Sequence, residues 1–394
     1  FKFFPRKPLD PIKITSLFFI KYLYDLNMFK IPFFKTYINK SATNKVNLTL
    51  KSNFINEGYV VDEFEKKLKA FLDVNYINTT NSGTSSLHLS LIACGVGPGD
   101  EVILSPQTFI STGLAILYCG ARPVFCDVQI ETGNICPKSI KNKITSRTKA
   151  IMAVHWSGYP CDMDQINDLI KKRKKKIYII EDAAHAFGAA YKNKKIGQIS
   201  DFTCFSFQST KHLTCGDGGA VVTLEKKNFE KIKRLKWFGI HRNKDKPGFL
   251  GERIYELNSI GYKYHMNNFA ASLGLENLKL MKNVLNYHRK IGELYSKHLK
   301  NIKGIKLMEY DRDHLHSFWF FQLLVKNRKS FISKIRSIGI PCNVVNQRID
   351  RYKIFKQKFS SKNINYFYTH HVGLPVNTDV NEKTIIKIVD VLKN

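Results

Sequence analysis

The sequence predicts an α/β protein, with a mainly parallel central sheet wrapped by helices and a smaller C-terminal α+β part. Three observations carry this. Short β-branched or aromatic runs alternate with helix-period stretches as far as residue 224, the pattern of strands joined by helical crossovers. The run Ile177-Tyr178-Ile179-Ile180 ends in Glu181-Asp182, as a buried strand does when its C-terminal edge carries polar groups. Two further strand-like runs, Phe202 to Phe207 and Ala220 to Leu224, flank Gln208-Ser209-Thr210-Lys211 and the turn Gly216-Asp217-Gly218-Gly219.

In chain order, Val61, Phe64, Leu68 and Phe71 recur at helical spacing and predict a core-facing helix. The stretch Asn81-Ser82-Gly83-Thr84-Ser85 then opens a helix containing Leu87, Leu89 and Leu91. Small and hydroxyl residues there make either an anion site or a plain cap. Gly97 to Asp100 reads as a turn and Glu101 to Leu104 as a strand. Ser105-Pro106-Gln107-Thr108-Phe109 opens the next helix, where Phe109 on the residues alone reads as a core aromatic near a helix start. Strands follow at Pro123 to Val128 and Ala150 to Trp156, where His155 reads as structural. His185 is expected at the start of a helical stretch, so Asp182 either caps that helix or faces a ligand. A lysine between two buried strands loses hydration, which favours a neutral amine fit for Schiff-base chemistry; the plainer reading of Lys211 is a solvated turn lysine.

Beyond residue 224 the chain turns helical and basic, with a polar loop from Arg242 to Glu252. Ala270, Leu273, Leu275 and Leu278 mark a helix, Phe318 to Val325 a strand, and Ser330 to Ile338 a helix. Gly339-Ile340-Pro341 reads as turn and strand. Asn346 to Phe355 and His370 to Pro375 read as loops near a substrate.

Composition narrows the classes. Lys and Arg total 63 against 32 Asp and Glu, a formal charge of +31 that alone suggests nucleic acid or an anionic surface. The lysines are spread among Asn and Ile, however, and such a field equally attracts a doubly anionic small molecule. The dense run Lys171 to Lys176 reads as a solvated helix end, where cations suit the dipole. The eight cysteines form no CxxC pair, so neither a metal site nor a disulfide framework is expected, and a reducing cytoplasm fits. Ile14 to Phe29 is apolar but broken by Lys21 and Asp25. It is too short to span a membrane and fits an amphipathic helix. Residues 1–27 precede the first methionine, Met28, and read as an extension outside the fold or as upstream sequence.

Six stretches in order, NSGTSSLHLSL, SPQTFISTGLAI, HWSGYPCDMD, EDAAHAFGA, FSFQSTKHLTCGDGG and GYKYHMNN, resemble the DegT/DnrJ/EryC1/StrS family of sugar aminotransferases dependent on pyridoxal 5'-phosphate (PLP). The resemblance covers roughly residues 30–390. It implies an aspartate-aminotransferase-like (type I) fold, with a large PLP-binding domain over 28–265 and a small domain over 266–394. It implies that Lys211 holds PLP and that Asp182 keeps the pyridine nitrogen protonated. Gly83, Thr84, Ser85 and Ser206 would meet the phosphate, Phe109 would stack on the ring, and His185 would lie near the ring oxygen. Lys263 would reach the phosphate of a neighbouring subunit in a homodimer with shared active sites; many members carry Asn there. The implied reaction moves an amino group, with L-glutamate as donor, to a nucleotide-linked keto-sugar in surface-polysaccharide or modified-sugar biosynthesis. Related dehydratases carry His in place of the lysine. His212 follows Lys211 directly, but counting back from Gly218-Gly219 puts Lys211 at the lysine position. A non-enzymatic relative and a basic nucleic-acid-binding protein are the remaining alternatives.

Overall fold

The computed structural model describes residues 29–171, 173–241, 246–255 and 257–393. The readings of residues 1–27, and of residues 242–245 in the polar loop, lie outside these, as does the amphipathic helix apart from Phe29. Helices α1 (Ala42–Lys51) and α2 (Tyr59–Leu72) precede strand β1 (Tyr76–Thr80). Then α3 (Gly83–Ala93) leads to β2 (Glu101–Leu104), α4 (Ile110–Tyr118) to β3 (Arg122–Phe125), α5 (Pro137–Lys143) to β4 (Thr148–Val154), and α6 (Met163–Lys171) to β5 (Tyr178–Asp182). A hairpin, β6 (Ala190–Tyr191) and β7 (Lys194–Lys195), precedes β8 (Phe202–Ser206) and β9 (Gly219–Thr223).

The seven-stranded sheet runs β1-β9-β8-β5-β4-β2-β3. Neighbours from β3 through β8 pair in parallel, while β9 is antiparallel to both β8 and β1. Its inner strands are buried on both faces, which is why they read as unbroken apolar runs. Alternate residues feed two cores: Ile151, Ala153, Ile179 and Phe205 on one side, Ala150, Met152, Ile180 and Cys204 on the other. The stripe Val60, Val61, Phe64, Leu68 and Leu72 of α2 closes the first core, as its spacing predicts.

Next come α7 (Lys226–Leu235) and a hairpin, β10 (Lys246–Pro247) with β11 (Arg253–Ile254). Helix α8 (Asn268–Leu278) packs back on α1 and α2, and its Ala271 and Leu275 join the first core. Helix α9 (Met281–Leu299) leads to a three-stranded antiparallel sheet of β12 (Ile305–Leu307), β13 (Phe321–Val325) and β14 (His371–Leu374). Helices α10 (Arg328–Ser337), α11 (Lys362–His370) and α12 (Glu382–Lys393) complete this part, which has its own core around Tyr295, Phe321, Val372 and Ile388.

Three local expectations are corrected. No helix opens after Asp182: residues 183–189 form successive turns, because the Asp182 carboxylate accepts from the Ala184 N–H at 3.2 Å and competes with helical pairing. Residues 371–374 are a buried strand rather than a loop, paired along β13. No strand follows Pro341; that segment touches the sheet through a single bridge, Asn343 to Gly373.

Candidate active site

The C-terminal edges of β4, β5 and β8 open into a cavity of about 370 Å³. Gly83, Thr84, Phe109, Asp182, His185, Ser206 and Lys211 all line it, although they come from distant stretches of chain. Ligands bind at this edge of open α/β sheets.

Asp182 ends β5 and is buried. Thr112 of α4 donates to its Oδ2 at 2.7 Å, and the Ala184 N–H to its Oδ1. Burial raises its pKa, against the lowering effects of Thr112, Ala184, Lys211 and His155. With no helix behind it, the carboxylate is not a helix cap. Beneath it, His155 and Glu181 form a fully buried pair at 2.8 Å. The Cys161 N–H donates to His155 Nδ1 at 3.0 Å, so Nε2 carries the proton toward Glu181. Thr203 donates to the other Glu181 oxygen. His155 is therefore structural, as expected.

Lys211 lies in the connection between β8 and β9, closed by a Phe207 N–H to Gly218 carbonyl bond of 2.8 Å. Protein surrounds its amine closely enough for desolvation to lower the pKa to about 7, with Asp182 pulling the other way. This is not a solvated turn lysine. His212 points elsewhere: it is buried, its Nε2 lies 3.0 Å from the Ser317 carbonyl, its ring abuts His288, and it does not line the cavity.

The start of α3 lines the cavity with Gly83 and Thr84. Ser82 caps it, accepting from the Ser85 N–H at 3.1 Å. Gly83 faces β8 so closely that an added Cβ would lie 2.8 Å from the Ser206 Cβ. A Cβ on Gly219 would lie 2.6 Å from the Ser82 carbonyl. Backbone N–H groups at a helix start are left to meet a phosphate. Gly83→Ala is expected to push α3 off Ser206 and weaken PLP binding by about tenfold, as read by equilibrium titration, with little change in fold. Unchanged affinity would place the phosphate elsewhere.

Two expected residues stand apart from the cavity. Ser85 is buried, its hydroxyl donating to Asn81 Oδ1 at 2.6 Å, and it does not line the cavity. Lys263 is exposed, joined through a backbone bridge to Trp237. Phe109 is no core aromatic: it is 55% exposed at the cavity mouth. His185 is buried, stacked on Trp319 at 3.8 Å, and its Nδ1 has no partner. Burial holds its pKa well below the ordinary imidazole value. The sequence reading missed Phe34, Thr112, Trp319 and Val345, whereas Asn346, at the start of the loop expected near a substrate, does line the cavity. Only Thr112 had a local signal, lying four residues after Thr108 on the turn that opens α4, with the two hydroxyls 2.7 Å apart.

The profile of the DegT/DnrJ/EryC1/StrS aminotransferase family matches residues 36–393. The chain belongs to this family. It is 36% identical over 297 residues to the GDP-perosamine synthase of Escherichia coli O157:H7, covering 75% of this chain and 78% of that protein. The sugar aminotransferase CalS13 from Micromonospora echinospora superposes with a TM-score of 0.88 at 28% identity, over 92% of this chain and 99% of that one. The PLP form of Spr1654 from Streptococcus pneumoniae gives a TM-score of 0.82 at 25% identity, over 92% and 97%. The chain is thus an aminotransferase of the PLP type, with the expected fold. The residues present fit the cofactor: a desolvated lysine, a hydrogen-bonded carboxylate at a strand end, a helix that starts on a glycine pressed against Ser206, and an unpartnered imidazole nitrogen.

Proposed function

We propose that this family member transfers an amino group from an amino acid, L-glutamate, to a nucleotide-linked keto-sugar, as a step in building a surface polysaccharide or modified sugar. The observation that carries the reading is the Lys211 amine, desolvated to a pKa of about 7 within one cavity with Asp182. Bound PLP supplies an aldehyde for the lysine and an electron-withdrawing ring.

The chain's own residues do the rest. Lys211 is a neutral amine in a large fraction at neutral pH, able to hold the aldehyde and, once displaced by the donor, to take and return a proton. Asp182, oriented by Thr112, keeps a proton on the ring nitrogen. The start of α3, with Gly83 and Thr84, would receive the phosphate together with Ser206, while Ser85, its N–H held by Ser82 and its hydroxyl by Asn81, would brace that turn. Phe109 would cover the ring, and His185 would offer its unpartnered Nδ1 to the ring oxygen.

A homodimer with shared sites completes the reading. Lys263 is exposed and does not line its own chain's cavity, which supports a role toward a partner's phosphate as a point charge. Phe54, Ile55, Tyr59 and Ile260 leave apolar surface uncovered, with Ile260 81% exposed. The division into residues 28–265 and 266–394 is also proposed, with α8 packing onto the larger part. All eight cysteines are free, which supports a reducing compartment, the cytoplasm. No helix among the described residues is long and apolar enough to cross a membrane. Lys211, rather than His212, faces the cavity, which favours transamination over the dehydratase alternative.

The test is the visible spectrum of the PLP-loaded protein before and after L-glutamate. Discharge of the band by glutamate, and its return with a nucleotide-linked 4-keto-6-deoxysugar, is the expected result. A band that glutamate leaves intact removes this donor. Light scattering on the same sample reads the dimer, and a monomer that turns over would sink the shared-site proposal.

A further inference from the structure

We infer that Trp319 is a positioning residue whose indole is the resting place of the Lys211 amine whenever that amine is not bonded to the cofactor. The inference rests on the reading of Lys211 as the cofactor-holding lysine. Lys211 Nζ lies 3.6 Å from the Trp319 ring centroid, well inside the range of about 6 Å over which a ring face attracts an ammonium. Among the described residues the amine makes no ion pair and no hydrogen bond, so the indole is its contact. Asp182 acts on it only as a more distant charge.

The ring cannot drift with the lysine. Trp319 Nε1 donates to the Thr210 carbonyl at 2.8 Å, which ties the indole to the residue just before Lys211. Phe34 stacks on it at 4.2 Å and 11°, and His185 at 3.8 Å and 20°. Three separate segments therefore fix one ring plane beside one amine. The chemistry of that contact suits the role. A carboxylate at contact distance would pin the amine as an ammonium. An indole face attracts the cation yet takes no proton, so the lysine can gain or give one without first breaking a hydrogen bond. A displaced lysine has four rotatable side-chain bonds, and the indole narrows where its amine waits.

Cofactor-free, full-length protein gives a direct readout. The emission of Trp319 is the difference between wild type and Trp319→Phe, followed from about pH 6 to 9, a range that brackets the amine. The groups around the indole are few. Phe34 carries no charge, and burial keeps His185 and His316 neutral across the range. Asp182 acts on the lysine, and burial holds His212 well below the ordinary imidazole value, so it stays neutral across the range. The expected result is a transition centred at about 7 that vanishes in Lys211→Met. A flat difference, or a transition that survives Lys211→Met, overturns the inference.

A second measurement separates positioning from packing. In single-turnover reaction with L-glutamate, Trp319→Leu is expected to slow the loaded enzyme about tenfold with donor KM nearly unchanged, while Trp319→Phe keeps most of the rate. Equal slowing in both variants means the bulk matters and the face does not, which also overturns it. Borohydride reduction of the loaded protein followed by peptide mapping keeps the two readings apart. Cofactor found on another residue sinks the assignment of Lys211 itself. Cofactor on Lys211 with flat indole emission sinks only the resting place.

Discussion

Lys211→Met is expected to abolish transamination, by roughly 10⁴-fold or more, and to raise the melting temperature of the cofactor-free chain. The first effect follows from losing both the attachment point and the proton carrier. The second follows from the sign of the pKa shift. In the folded chain the amine sits at about 7 because burial disfavours its charge. In the unfolded chain it sits near ~10.4. Between these two values the unfolded chain holds the proton and the folded chain does not, so wild-type stability climbs with pH across that window. Below about pH 7 both states are protonated and the full cost of the buried charge is present. Methionine carries no such cost. Its advantage should be largest at or below pH 7 and fade toward pH 10, as read by calorimetry at several pH values. A variant that melts lower than wild type at pH 6 would mean that the lysine is paired rather than desolvated.

Asp182→Asn is expected to slow the half-reaction with L-glutamate by roughly 10²–10³-fold while PLP still binds at Lys211. The amide nearly matches the carboxylate in shape, and its oxygen can still accept from Thr112. What it lacks is the negative charge that makes a protonated ring nitrogen favourable in a site that burial has made poorly solvated. The spectrum separates the two functions: the visible band should form and then discharge slowly. Turnover within a few fold of wild type would show that the carboxylate only shapes the turn it caps through Ala184.

The parts of this site that were legible in the sequence are those whose chemistry is encoded locally. Ile179 and Ile180 had to be buried on opposite faces, so a strand ending in Asp182 followed, and the sheet placed that carboxylate. Lys211 was readable because two apolar runs enclosed it. At Ser82 to Ser85 the sequence left an anion site and a plain cap open, and both describe part of the stretch: Ser82 caps the helix, Gly83 and Thr84 line the cavity, and Ser85 stands apart from it. Phe34, Trp319 and Val345 were not legible, because they reach the cavity only through tertiary packing of segments far apart in the chain. The helix expected after Asp182 failed for a local reason. An aspartate at that position bonds the backbone two residues on, and Gly188 then takes φ +74°, so a run rich in alanine folds as turns.

The reversed strand of the large sheet bears on how the protein is born. Strand β1 emerges early from the ribosome, yet the strand it pairs with, β9, is synthesised about 140 residues later. Until then β1 offers an unpaired edge, and the start of α3 hangs from it. The lysine arrives on the segment just before β9. The two walls of the cavity, Gly83 with Thr84 and Lys211, are thus joined by the same late pairing, and a nascent chain stopped short of β9 would lack both that edge of the sheet and a joined cavity.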